Sequence, residues 1–120
     1  MWLMTPIGFF SIVQKPADRQ AGTLTVRARV LDDLAALKDQ FLPALGPIRE
    51  GAGTDYRYRA TAPTTDVSSA FARMLGAIDY SNFKNEVAKV QGPPRAYLYN
   101  EVWGVLSSLQ PNDSEGDEAT

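Results

Sequence analysis

Arginines recur at every second position in two short segments, Leu24-Thr25-Val26-Arg27-Ala28-Arg29-Val30 and Asp55-Tyr56-Arg57-Tyr58-Arg59-Ala60-Thr61. Successive side chains of a β-strand point to opposite faces. Leu24, Val26, Ala28 and Val30 therefore share one face, and Thr25, Arg27 and Arg29 the other. In the later segment Tyr56, Tyr58 and Ala60 oppose Arg57, Arg59 and Thr61. With both apolar sets turned to a helical layer, Arg27, Arg29, Arg57 and Arg59 gather on the free face of a small sheet. Like charges facing one another across strands are destabilising, so such a cluster needs counter-charge. Glu50, Asp55 or Glu101 of the same chain could supply it, as could a second copy in a homodimer or an anionic ligand. Arginine suits the last role, because it grips carboxylates and phosphates through two parallel hydrogen bonds and stacks on flat rings. The first strand adds either Phe9 and Ser11 or Phe10, Ile12 and Gln14 to this face; its parity is open.

Other patterns carry less chemistry. The chain has no Cys and no His, which excludes disulfides, thiolate and imidazole metal ligands, and histidine-based nucleophile activation. No metal constellation and no cofactor motif is visible. Gly46-Pro47-Ile48-Arg49-Glu50-Gly51-Ala52-Gly53-Thr54 has the glycine spacing of a phosphate loop. It lacks the Lys after Gly51 and leads into a strand rather than a helix, so it reads as a connector. Ser81-Asn82-Phe83-Lys84 has the Ser-x-x-Lys spacing in which a lysine activates a serine. Ser81 is equally suited to cap a helix, and the companion motifs of such enzymes are missing. Asp32 and Asp33 are sequence neighbours that do not face each other on a helix, and read as helix-opening residues rather than an acid–base pair. Tyr97, Tyr99 and Trp103 read as core or rim of a helix.

Charge narrows the partners further. Twelve basic residues stand against 14 acidic ones, a net charge of −2, and the isoelectric point is near 5.0. That is far from the basic footprint of a nucleic-acid binder and argues against nucleic acid as a partner. Residues 111–120 carry all their charge as acid and have no large apolar side chain, as expected of a disordered tail. The apolar opening, Met1 to Val13, has no preceding basic segment and is broken by Pro6 and Gly8, which argues for a first strand over a signal peptide. No run reaches the ~20 apolar residues that span a membrane, so a cytoplasmic protein is expected.

The elements that must position these residues follow from periodicity. Residues 7–15 read as a strand, 16–22 as a polar loop, and 24–30 as a strand forming an antiparallel hairpin with the first. Asp32 and Asp33 open a helix through Leu34, Leu37, Phe41 and Leu42 that Pro43 ends. The loop from Gly46 to Thr54 leads to the strand 55–61. Thr65 or Asp66 caps a helix with Val67, Phe71, Leu75 and Ile78 on one stripe. Ser81 caps a second helix with Phe83, Val87 and Val90. A third helix, Arg95 to Leu109, buries Leu98, Val102, Val105 and Leu106. The order β-β-α-β-α-α-α implies an α+β two-layer sandwich, about three strands covered on one face, as a single domain over residues 1–110.

Gly8-Phe9-Phe10-Ser11-Ile12-Val13-Gln14-Lys15 and Asn82-Phe83-Lys84 with Glu86-Val87 resemble a group of short, uncharacterised bacterial proteins. The resemblance extends over most of residues 1–109 and implies a free-standing bacterial cytoplasmic domain; it carries no activity. The expectation from the residues is a non-enzymatic binding module using Arg27, Arg29, Arg57 and Arg59 for a partner subunit or an anionic ligand. A small enzyme using Ser81 and Lys84, and single-stranded nucleic-acid binding, are the alternatives.

Overall fold

The computed structural model describes residues 1–51 and 54–111, and its contacts divide into two compact units, Met1–Ser81 and the chain from Asn82 onward. The acidic tail from residue 112 lies outside the described residues. The first unit runs β1 (Trp2–Thr5), β2 (Gly8–Val13), α1 (Pro16–Ala21), β3 (Thr23–Ala28), α2 (Leu31–Gln40), β4 (Arg49–Glu50), β5 (Tyr58–Pro63) and α3 (Thr64–Gly76). Its strands form an antiparallel sheet in the order β1-β2-β3-β5-β4. The second unit holds α4 (Phe83–Gln91), α5 (Pro93–Leu106) and a closing 3-10 turn, Ser107–Leu109.

The α+β class is as expected, but the sheet has five strands rather than three, and the order is not ββαβααα. The apolar opening segment is a hairpin, not one strand. The Thr5 hydroxyl donates to the Gly8 carbonyl (2.7 Å) and accepts from the Gly8 N–H (3.1 Å), closing the turn around Pro6 and Ile7. Residues 16–22 form α1 instead of a loop. Pro16 begins this helix, Asp18 accepts from the Lys15 N–H (2.7 Å), and Gly22 ends it at φ 70°, a left-handed conformation that favours glycine. Six residues are too few to display a helical period. The strand β4, two residues inside a Gly- and Pro-rich connector, is likewise too short to alternate visibly.

The core lies on one face of the sheet. Phe10, Val26, Ala28, Ala60 and Ala62 meet Leu34 and Leu37 of α2, Leu42 and Leu45 beyond it, and Val67 and Ala70 of α3. Burial of Leu34 and Leu37 contributes roughly 1.5–3 kcal/mol each. Asp33 does not cap α2, whose N-cap residue is Val30; its carboxylate instead accepts from the Phe9 N–H (2.9 Å) and ties the helix to β2. The expected stripe of α3 is buried only at its start: Val67 is buried and Phe71 half-buried against Phe10, whereas Leu75 and Ile78 are exposed. The helix ends at Gly76, and the apolar cluster takes no side chain from it beyond Met74.

In the second unit Asn82, not Ser81, caps α4, accepting from the Asn85 N–H (2.8 Å). Phe83 stacks on Tyr99 (centroids 6.0 Å apart, planes 5° apart), and Val87, Ala96 and Tyr99 are buried. Leu98, Val102, Val105 and Leu106 are exposed, contrary to the expected stripe. Apolar residues surround α5 almost completely, so periodicity alone does not pick the packed side; the Ala96–Tyr99 edge takes it.

Candidate anion-binding face

Register puts the arginines together. Arg27 of β3 pairs directly with Arg59 of β5, Ser11 of β2 with Arg27, and Arg49 of β4 with Arg59. Directly paired residues share a face, so Ser11, Arg27, Arg59 and Arg49 form one row across four strands. Their neighbours Phe10, Val26 and Ala60 are in the core, so the row lies on the face away from α2 and α3. At about 4.8 Å between strands, the three arginine Cα atoms fall within roughly 10 Å. The first-strand parity resolves to Phe9, Ser11 and Val13 on this side. At the far end Trp2 stands edge-on to Phe9 (5.7 Å).

The face is only partly open, because Ser11, Thr25 and Asp18 are buried beneath their neighbours. Arg27 donates through Nη2 to the Ser11 hydroxyl (2.6 Å), and its Cζ lies 4.5 Å from the centroid of the Tyr56 ring. Arg29, just beyond the end of β3, places its Cζ 4.6 Å from the same ring. Arg59 donates through Nη2 to the Tyr56 carbonyl (3.2 Å). The Nε atoms of Arg27 and Arg59 are buried with no hydrogen-bond partner. Among the described residues, no carboxylate comes within ion-pair distance of Arg27, Arg49 or Arg59, whereas Arg57 pairs with Glu50.

Arg57 therefore leaves the group. Regular alternation begins only at Tyr58, and the bend before it turns Arg57 to Glu50, where Nε and Nη2 both lie 2.7 Å from Oε2. The hydrogen bond and charge of Glu50 raise the Arg57 guanidinium above its ordinary range. The same bend brings Tyr56, expected on the core side with Tyr58, against Arg27 and Arg29. Of the four arginines expected from sequence, Arg27 and Arg59 face each other, Arg29 joins through Tyr56, and Arg57 is neutralised elsewhere.

Two basic residues were not anticipated. Arg49 and Lys15 line a cavity of ≈ 160 Å³ with Arg59, Thr25 and Thr61, and no acidic side chain lines it. Lys15 continues the Phe9–Ser11–Val13 parity and was legible once that parity is known; Arg49 carried no signal. Behind Thr25 stands Asp18, whose carboxylate accepts from the Thr23 hydroxyl (2.6 Å), the Thr25 hydroxyl (2.7 Å) and the Lys15 N–H (2.7 Å). Burial pushes its pKa up, but these three hydrogen bonds and the Lys15 charge outweigh that and hold it below 3.8.

The remaining candidates lie apart from this face. Gly46 donates to the Thr61 carbonyl (2.8 Å) and Gly51 to the Arg57 carbonyl (2.8 Å), so the described part of the glycine-spaced segment is bound into the sheet edge. Ser81 ends the first unit and Lys84 belongs to the second; both are exposed. Tyr97 and Trp103 are exposed, while Tyr99 packs inside the helical pair. No helix among the described residues is long and apolar enough to cross a membrane. No protein-family model, curated protein or solved structure matches the chain.

Proposed function

We propose that this chain is a non-enzymatic binding module whose arginine-bearing sheet face takes an anionic ligand. One observation carries the reading: Arg27, Arg59 and Arg49 stand in a cross-strand row with no carboxylate in ion-pair reach among the described residues. Opposed like charges oppose folding by a few tenths to about 1 kcal/mol per pair, and a bound anion reverses the sign of that interaction. Self-pairing of this face in a homodimer is opposed by its charge. Two-fold symmetry would set the arginine row against its own copy, and the nearby acids Asp18 and Glu50 are already engaged. Nucleic acid is disfavoured by the net charge of −2. The setting we propose, from the resemblance to short bacterial proteins, is the bacterial cytoplasm.

Titration with sodium sulfate and with sodium acetate, followed by backbone amide NMR, tests the reading. Saturable shifts along β3 and β5 with at least one of the two anions, abolished in Arg59→Gln, are expected. Absence of saturable shifts with both anions, or shifts unchanged in Arg59→Gln, overturns it.

A further inference from the structure

Resting on that reading of the face, we infer that the cavity between Lys15, Arg49, Arg59 and Thr61 is a pocket for the dianionic head of a phosphate monoester or free phosphate. At ≈ 160 Å³ the cavity is well below the ~300–1,000 Å³ of pockets that enclose a whole organic ligand. It has room for one compact charged group, with anything attached to that group left outside.

Charge and donor arrangement favour the same group. Lys15 comes from the segment after β2, Arg49 from β4 and Arg59 from β5, so three cations approach from three separate pieces of backbone. A carboxylate is planar and monoanionic, and the fork of one arginine satisfies both its oxygens. A phosphate presents three terminal oxygens in different directions with a charge near −2, which matches several convergent donors. Arg59 retains donors besides the Nη2 that bonds to the Tyr56 carbonyl. Thr61 is exposed at the same wall. The Thr25 proton is committed to Asp18, so Thr25 shapes the pocket without donating into it.

The absence of histidine makes the ionisation of the ligand readable. The charged groups around the pocket are Lys15, Arg49, Arg59 and, behind Thr25, Asp18; Arg27 stands beside Arg59 in the row. The chain has no histidine, the side chain that ordinarily titrates between pH 5 and 8, and Asp18 has its pKa lowered by its hydrogen bonds. A phosphate monoester loses its second proton near pH 6. Any change in affinity over that interval therefore reports the ligand's charge.

Isothermal titration of the full chain with inorganic phosphate, phenyl phosphate and benzoate is the test. Both phosphates are expected to bind at least tenfold more tightly than benzoate at pH 7.5. Phenyl phosphate should weaken about tenfold between pH 7.5 and pH 5, as its dianion falls to roughly a tenth of the total. Lys15→Gln and Arg49→Gln, at exposed positions that leave the core intact, should each weaken it tenfold or more. Equal affinity for the two phosphates identifies the head group alone as the ligand; tighter phenyl phosphate identifies an ester. Benzoate equal to phenyl phosphate with a flat pH profile overturns the phosphate pocket and leaves the anion-binding face standing. No binding of any of the three probes, with no sulfate or acetate response, overturns both.

Discussion

Arg27 and Arg59 face each other directly across β3 and β5, each with a buried Nε that has no hydrogen-bond partner. The two are held differently, and their substitution should differ in sign. Arg27 is held by Ser11 and the Tyr56 ring, so Arg27→Gln removes a hydrogen bond and a cation–π contact and leaves a buried hydroxyl behind. A loss of about 1–2 kcal/mol is expected. Arg59→Gln gives up one long bond to the Tyr56 carbonyl and relieves the repulsion with Arg27 and Arg49. It should be neutral or stabilising by up to about 1 kcal/mol at low salt. Urea unfolding at low and high ionic strength checks both; the advantage of Arg59→Gln should shrink as salt screens the row.

Asp18 links α1 to β3 and gives the fold a pH dependence of known sign. Burial raises its pKa, but the Thr23, Thr25 and Lys15 hydrogen bonds prevail, so the folded value lies below the ordinary 3.8. A carboxylate with a depressed pKa contributes stability above its unfolded value, and that contribution is lost as pH falls through the folded value. Wild-type protein should therefore lose stability relative to Asp18→Asn as pH drops below about 4. At pH 7 Asp18→Asn should be less stable by about 1–3 kcal/mol, because one amide oxygen cannot serve three donors. Parallel urea curves at pH 7 and pH 3 measure the difference; curves separated equally at both pH values would remove the assignment.

Gly8 shows what the hairpin requires of its sequence. A Cβ placed there stands 2.6 Å from both Cβ and Cγ of Asp33, the residue that accepts from the Phe9 N–H. Gly8→Ala should push α2 off β2 and cost about 1–3 kcal/mol. Gly76, the last residue of α3, has nothing within 4 Å of its added Cβ. Gly76→Ala should stabilise by about 0.4–1 kcal/mol through the unfolded chain. Thermal unfolding of the pair should show shifts of opposite sign.

Much of the first unit was legible because burial on one face imposes a period of two on strands. The alternation of Leu24, Val26 and Ala28 against Thr25 and Arg27 survives unchanged in β3, and the Leu34–Leu37 spacing survives in α2. What escaped were elements too short to repeat their own period, α1 and β4, and residues just beyond a strand end. Arg57 and Tyr56 exchange sides because pairing with β3 begins at Tyr58, a boundary that alternation alone does not mark. Arg49 reached the site only through a two-residue strand. The basic face was thus half visible: Arg27 and Arg59 followed the alternation of their strands, whereas Arg49 came from a segment with no pattern to read.

The helical pair α4–α5 separates a specific contact from an apolar composition. Phe83 and Tyr99 stack almost parallel within this unit, with Val87 and Ala96 buried beside them, whereas Val105 is 72% exposed. A double-mutant cycle of Phe83→Ala and Tyr99→Ala in the full chain should give a coupling of about 0.5–1.5 kcal/mol beyond the single losses. Tyr99 also accepts from Arg95 Nη1 (3.3 Å), so the single Tyr99→Ala loss contains more than the stack, which the cycle subtracts. Val105→Ser, one residue of an apolar helix changed to polar, should alter stability by less than about 0.5 kcal/mol. Urea unfolding of these variants decides the point. A coupling near zero together with a large loss for Val105→Ser would mean that α5 packs through its Val102–Val105 side, and that the aromatic stack does not hold the pair together.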